Sequence, residues 1–150
     1  MPRTTFLLLV GLLAFGCAGA PPAGTRRVIT TDRAPAAITA FSQAIQVGNT
    51  VWVAGQLGID PATRQLVPGG IEAETRQALE NVKAILEAAG FSLADAVQVQ
   101  VLLADITEWE KLNPVYVTFF PKDPPARAAY AVAALPRGAR VEILVTAARP

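Results

Sequence analysis

Two neighbouring stretches settle the architecture: Ala78-Leu79-Glu80-Asn81-Val82-Lys83-Ala84-Ile85-Leu86-Glu87-Ala88-Ala89-Gly90 and, after a short break, Ala96-Val97-Gln98-Val99-Gln100-Val101-Leu102-Leu103. In the first, Ala78, Leu79, Val82, Ile85, Leu86 and Ala89 recur at helical spacing with charged residues opposite, and Gly90 is placed to cap the C-terminus. The second alternates and then turns wholly apolar, as a central strand does. An amphipathic helix feeding a buried strand calls for a layer fold in which helices pack on a sheet.

The flanks agree with that reading. Pro68-Gly69-Gly70 breaks the chain ahead of a helix spanning Ile71 to Ala89, and Asp60-Pro61-Ala62-Thr63 is a turn. Ser42–Val47 and Thr50–Ala54 flank Gly48-Asn49, which supplies the positive-φ residues of a two-residue hairpin. Arg27–Thr30 adds a short strand and Ala34–Ala37 a loop. Downstream, Thr107 to Glu110 fits a capping box and Asn113-Pro114 re-caps a second turn, which predicts a short, kinked helix through Phe119. Ala126–Ala133 and Arg140–Ala148 read as strands joined across Pro136-Arg137-Gly138. The order hairpin, helix, strand, helix, strand, strand predicts an α+β fold: a single mixed sheet with two helices packed on one face. Val97, Val99, Val101, Ala131, Val141 and Ile143 are more apolar than one helix layer requires, so the other sheet face is expected to be buried in an oligomer, with clefts between subunits.

Composition narrows the chemistry. The 150 residues, 52% hydrophobic and 17% charged, suffice for one domain with a substantial core. A net charge of +1 with scattered Lys and Arg offers no field for phosphates, so nucleic acid is not an expected partner. Histidine is absent and Cys17 is the single cysteine, which excludes a disulfide framework, a Cys/His zinc site, a Ser-His-Asp triad and a Cys-His pair. Any catalysis has to run on Arg, Glu, Asp, Tyr, Lys, backbone amides and water.

Within the two C-terminal strands one cation and one anion stand out. Arg127 interrupts the apolar run from Pro124 to Pro136, and Glu142 interrupts Val141–Val145. Burying a charge costs several kcal/mol unless it is paired or used. An arginine fork in an apolar site can grip a small carboxylate bidentately, and a nearby carboxylate can orient or activate a water. Pairing of Arg127 with Glu142, or with the backbone, is the structural alternative.

At the N-terminus, Arg3 precedes the apolar run Phe6–Phe15, which is shorter than a bilayer span and suits the h-region of an export signal. Residues 1–20 are read as that signal, 21–26 as a tether and 27–150 as the domain. Cys17 stands where a lipobox would place its lipidated cysteine, although Phe15 and Ala14 depart from that motif. Cleavage at Ala18-Gly19-Ala20 and an uncleaved anchor are the alternatives. The expectation is an exported protein, periplasmic or lipid-anchored at a bacterial envelope, touching membrane only through that anchor.

Several motifs then carry a resemblance: Ala34-Pro35-Ala36-Ala37-Ile38, Gly55-Gln56-Leu57-Gly58, Ala78–Gly90, Leu103-Ala104-Asp105-Ile106, Pro125-Ala126-Arg127, Val132–Gly138 and Val141-Glu142-Ile143. In this order, from Arg27 to Ala148, the chain resembles the RidA/YjgF reactive intermediate deaminase family, also labelled L-PSP endoribonuclease. The resemblance implies a homotrimer around a β-barrel-like core with active sites between subunits. It implies hydrolysis of 2-imino acids, such as 2-iminopropanoate, to 2-keto acids and ammonia, with no metal and no organic cofactor. Arg127 matches the family's carboxylate-binding arginine, Glu142 its water-orienting glutamate, and Asn113 an asparagine near the pocket; Phe41, Ala54 and Gly55 fall at substrate-binding positions. The chain departs from the family with Phe41 for a tyrosine, Ala54 for a serine, Leu144 for a second glutamate, Ala129 for a cysteine, and an altered Pro121–Pro124 loop. Such losses suit a slower enzyme, a different imine, or a non-catalytic trimer at the cell envelope that binds a small carboxylate or a partner protein. The RNA-cleaving role in the older label is opposed by neutral charge and the lack of histidine.

Overall fold

The structure, a computed structural model, describes residues 24–38 and 40–150. The export signal and Cys17 lie outside the described residues. Eight principal elements follow in order: β1 (Arg26–Ile29), β2 (Ala44–Val47), β3 (Thr50–Leu57), α1 (Gly70–Ala88), β4 (Ala96–Leu103), α2 (Trp109–Phe119), β5 (Ala126–Ala131) and β6 (Val141–Ala148). The strands form one six-stranded sheet in the order β1-β2-β3-β6-β4-β5. All neighbours are antiparallel except β4 and β5, which run parallel and are joined by α2, because a parallel pair needs a crossover rather than a hairpin. The single mixed sheet with two helices is therefore the architecture the sequence predicts.

Register assigns every strand residue to a face. Val53, Val145, Val99 and Arg127 lie side by side in one row, and Leu57, Glu142, Leu102 and Tyr130 in another. The first row belongs to the face covered by the helices, where Val51, Val99, Val101, Val141 and Ile143 are fully buried together with Leu79, Val82 and Ile85 of α1 and Leu112 of α2. The second belongs to the open face, which carries Trp52 and Tyr130 at 47% and 42% exposure.

Four local expectations are corrected. Val99, Val101, Val141 and Ile143, expected to reveal a second buried face, all point at the helices; the open face is instead a mixture of Trp52, Tyr130, Leu102, Leu144, Gln98, Gln100 and Thr146. In the hairpin between Val47 and Thr50 only Gly48 takes positive φ (53°), the type II′ pattern, so Asn49 needs no left-handed conformation. The capping box at Thr107 is absent. Asp105 instead accepts from the Thr107 N–H at 2.9 Å, capping a 3-10 turn that leads into α2. Asn113-Pro114 does not restart the helix either: Pro114 sits inside a continuous α2, its ring exposed.

One buried amide ties the N-terminal loop to the sheet. Gln43 is 2% exposed, receives the Thr31 N–H at 2.7 Å, and donates to the carbonyls of Thr31, Ala34 and Pro35. Gln43→Ala strands these groups, so it is expected to destabilise the fold by ~2 kcal/mol and to loosen residues 31–38. Urea denaturation checks the first effect and amide exchange of the loop the second.

Candidate active site

Two separate sites emerge, one on each face of the sheet. On the helix-covered face, Arg127 leaves edge strand β5 in the row of Val99 and meets α2. Its Cζ lies 4.2 Å from the ring centres of both Trp109 and Tyr116. Trp109, Asn113 and Tyr116 recur at i, i+4 and i+7, which places them in one stripe along α2. Arg127 Nη1, Asn113 Oδ1 and the Tyr116 hydroxyl are all buried without a hydrogen-bond partner. Each such atom costs about 1–3 kcal/mol, so three together mark a place shaped for a polar ligand rather than for packing. Burial pushes the Tyr116 phenol up to about 12, against the opposing pull of Arg127, so it stays protonated.

On the open face, Glu142 lies opposite Leu57 at the end of β3. Between Val53 and Gln56 strand β3 holds one residue more than β6 does, a bulge formed by Ala54 and Gly55. The bulge brings Gly55 directly beneath the glutamate: a Cβ there would overlap the Glu142 carboxylate, with Cδ at 2.7 Å. Glu142 and Gly55 line a cavity of about 650 Å³ with Ile38, Phe41, Leu57 and Arg137. The surroundings are largely apolar, and burial raises the Glu142 pKa above its ordinary value. At the rim Arg64 and Arg137 both adopt left-handed backbone (φ 60° and 61°), and Arg137 Nη2 donates to the Arg64 carbonyl at 2.9 Å. Strain of this kind collects at ligand sites.

The six residues singled out in the sequence therefore divide. Phe41, Gly55 and Glu142 share the open-face cavity; Ala54 opens into a neighbouring hollow with Phe41 and Trp52; Arg127 and Asn113 sit on the far side. Arg127 and Glu142 do not pair with each other. Trp109 and Tyr116 escaped the sequence reading, although their seven-residue spacing around Asn113 was visible in it. Gly55→Ala is expected to displace the Glu142 side chain, destabilising the protein by ~1–3 kcal/mol and lowering any activity that uses the carboxylate. A thermal melt alongside a turnover assay separates the two effects.

Residues 31–149 match the family described as Endoribonuclease L-PSP. The chain belongs to this family, the RidA/YjgF proteins. Among its relatives, the 2-iminobutanoate/2-iminopropanoate deaminase of Rattus norvegicus is 53% identical over 118 residues, which cover 79% of this chain and 86% of the rat protein. RidA from an Antarctic Psychrobacter has the same fold at a TM-score of 0.79 and 49% identity, covering 82% of this chain and 99% of that one. TdcF of E. coli, solved with bound serine, superposes with a TM-score of 0.79 at 35% identity, covering 83% and 99%.

The RidA relationship corrects the expected location. Relatives at about half identity are named as 2-iminobutanoate/2-iminopropanoate deaminases and not as exported or lipid-anchored proteins, and among the described residues no helix is long and apolar enough to cross a membrane. The periplasmic or lipid-anchored reading rested on Arg3, the apolar run Phe6–Phe15 and the small residues around Cys17, all outside the described residues, a local pattern that hydrophobicity can produce without an export role.

Proposed function

We propose that this protein hydrolyses 2-imino acids to 2-keto acids and ammonia in a cleft assembled from two copies of the chain, as a homotrimer. The observation that carries this reading is the register: Arg127 and Glu142 fall in rows on opposite sheet faces, so one cleft holding both draws them from different copies. The names of relatives support the reaction class, and serine on TdcF supports a small carboxylate as ligand.

In the proposed reaction the Arg127 guanidinium grips the substrate carboxylate, and Asn113, on the same stripe of α2 as Trp109 and Tyr116, stands near it. Glu142 of the neighbouring copy holds a water against the imine carbon. The water oxygen bonds to that carbon as Glu142 takes one water proton; that proton then passes to nitrogen, and as the C–N bond breaks the remaining hydroxyl proton returns to the Glu142 carboxylate, leaving the 2-keto acid and ammonia. A protonated imine is already electrophilic, so positioning and charge stabilisation suffice without metal or organic cofactor. Phe41 and Ala54 supply apolar surface and backbone to the cleft. A second reading, a trimer that binds a small carboxylate without turnover, is favoured by Phe41, Ala54 and Leu144, which bring no hydroxyl or second carboxylate to the Glu142 side.

Subunit mixing tests the two-copy cleft. Arg127→Ala and Glu142→Gln chains are each expected to be inactive alone, and co-expression is expected to restore about a quarter of the sites by random mixing. Light scattering is expected to report three times the monomer mass. A monomer, or mixed chains that stay inactive while the wild type turns over, overturns the shared cleft.

A further inference from the structure

We propose that Trp109 and Tyr116 are positioning residues for the carboxylate clamp: their rings hold the Arg127 guanidinium and fix the direction in which it meets the ligand. The proposal rests on the reading of Arg127 as the carboxylate-binding residue and adds what orients it. Trp109 and Tyr116 stand two turns apart on α2, so a group 4.2 Å from both ring centres lies between them. Stacking uses the two faces of a guanidinium and leaves the in-plane N–H donors unspent. The buried, unpartnered Arg127 Nη1 is what such a slot produces.

A free arginine on an edge strand would sample many rotamers and recruit water or a carboxylate of its own chain. In the slot those options are closed before the ligand arrives, so the ordering cost is met on folding rather than on binding. The rings therefore act on affinity for the carboxylate and leave the hydrolytic step, on the Glu142 side, alone. The Tyr116 hydroxyl takes no part in this function; the ring face does.

The test measures 2-iminopropanoate hydrolysis, with the imine generated in situ, and calorimetric binding of pyruvate as a carboxylate probe. Trp109→Leu and Tyr116→Leu are expected to raise KM and the pyruvate Kd by about tenfold each, with kcat within about twofold of wild type. Trp109→Phe and Tyr116→Phe keep an aromatic face and are expected to stay within about threefold in both. In Arg127→Ala, millimolar guanidinium chloride is expected to refill the slot and restore part of the activity, and Arg127→Ala/Trp109→Leu is expected to lose that rescue.

Leucine variants with unchanged KM and pyruvate Kd overturn the proposal, as does a Tyr116→Phe variant as weak as Tyr116→Leu, since the hydroxyl would then be the active group. Should Tyr116→Leu fail to fold, half-buried Trp109 and the guanidinium rescue decide it. A wild type that neither hydrolyses the imine nor binds pyruvate overturns the functional reading and this proposal together; an active wild type with indifferent rings overturns the proposal alone.

Discussion

Arg127→Ala is expected to lower kcat/KM for 2-iminopropanoate by at least about 10²-fold, because a charged hydrogen-bond pair worth ~3 kcal/mol is lost at the ligand carboxylate. The side chain has few other duties. It lies between Trp109 and Tyr116 with Nη1 unpartnered, so removing it breaks no hydrogen bond made by that nitrogen. Arg127→Lys should be nearly as damaging, since an ammonium has neither a planar face to stack nor a fork to match a carboxylate. The measurement is imine hydrolysis in situ, with a melting curve for each variant as control. A lysine variant at wild-type efficiency would mean that charge alone matters, and an alanine variant at that level would remove Arg127 from the site.

Glu142→Gln is expected to lower kcat by about 10²-fold or more while leaving KM nearly unchanged, as general-base loss does. Its stability should move the other way. Burial raises the Glu142 pKa, so the folded protein holds this proton more tightly than the unfolded chain. The group favours folding below its unfolded pKa, and that contribution is lost as pH rises through the raised folded value. At neutral pH the ionised carboxylate therefore opposes folding, and the neutral amide is expected to melt no lower than wild type at pH 7. Activity needs the ionised form, so the acid limb of the kcat profile should lie above the ordinary glutamate value of 4.5 and disappear in the variant. A variant that loses stability at pH 7 but keeps kcat would make Glu142 a structural residue.

Much of this was legible in the chain. Helix α1 and strand β4 show unbroken periods of their own, which local packing demands and tertiary context does not override. Arg127 and Glu142 were visible because a single charge in an apolar strand has no cheap explanation. The capping box at Thr107 failed because Asp105, two residues earlier, offers the Thr107 N–H a better acceptor, and a local motif yields to the nearest carboxylate. Gly55 stood out in the sequence only as part of the motif Gly55-Gln56-Leu57-Gly58; the bulge in β3 is what shows that its missing side chain makes room for a carboxylate.

Sequence alone determined that one mixed sheet forms, that two helices cover it, and that one cation and one anion stand apart from its apolar strands. Alternation states which strand residues share a face with one another; it does not state which face the helices take. That parity is set by the neighbours. Because β6 inserts between β3 and β4, Glu142 aligns with Leu102 while Arg127, beyond β4, aligns with Val99, and the two charges turn to opposite sides of the sheet. Only the tertiary structure could separate them so, because hydrogen-bond register between strands distant in sequence is a property of the assembled sheet and not of any segment within it.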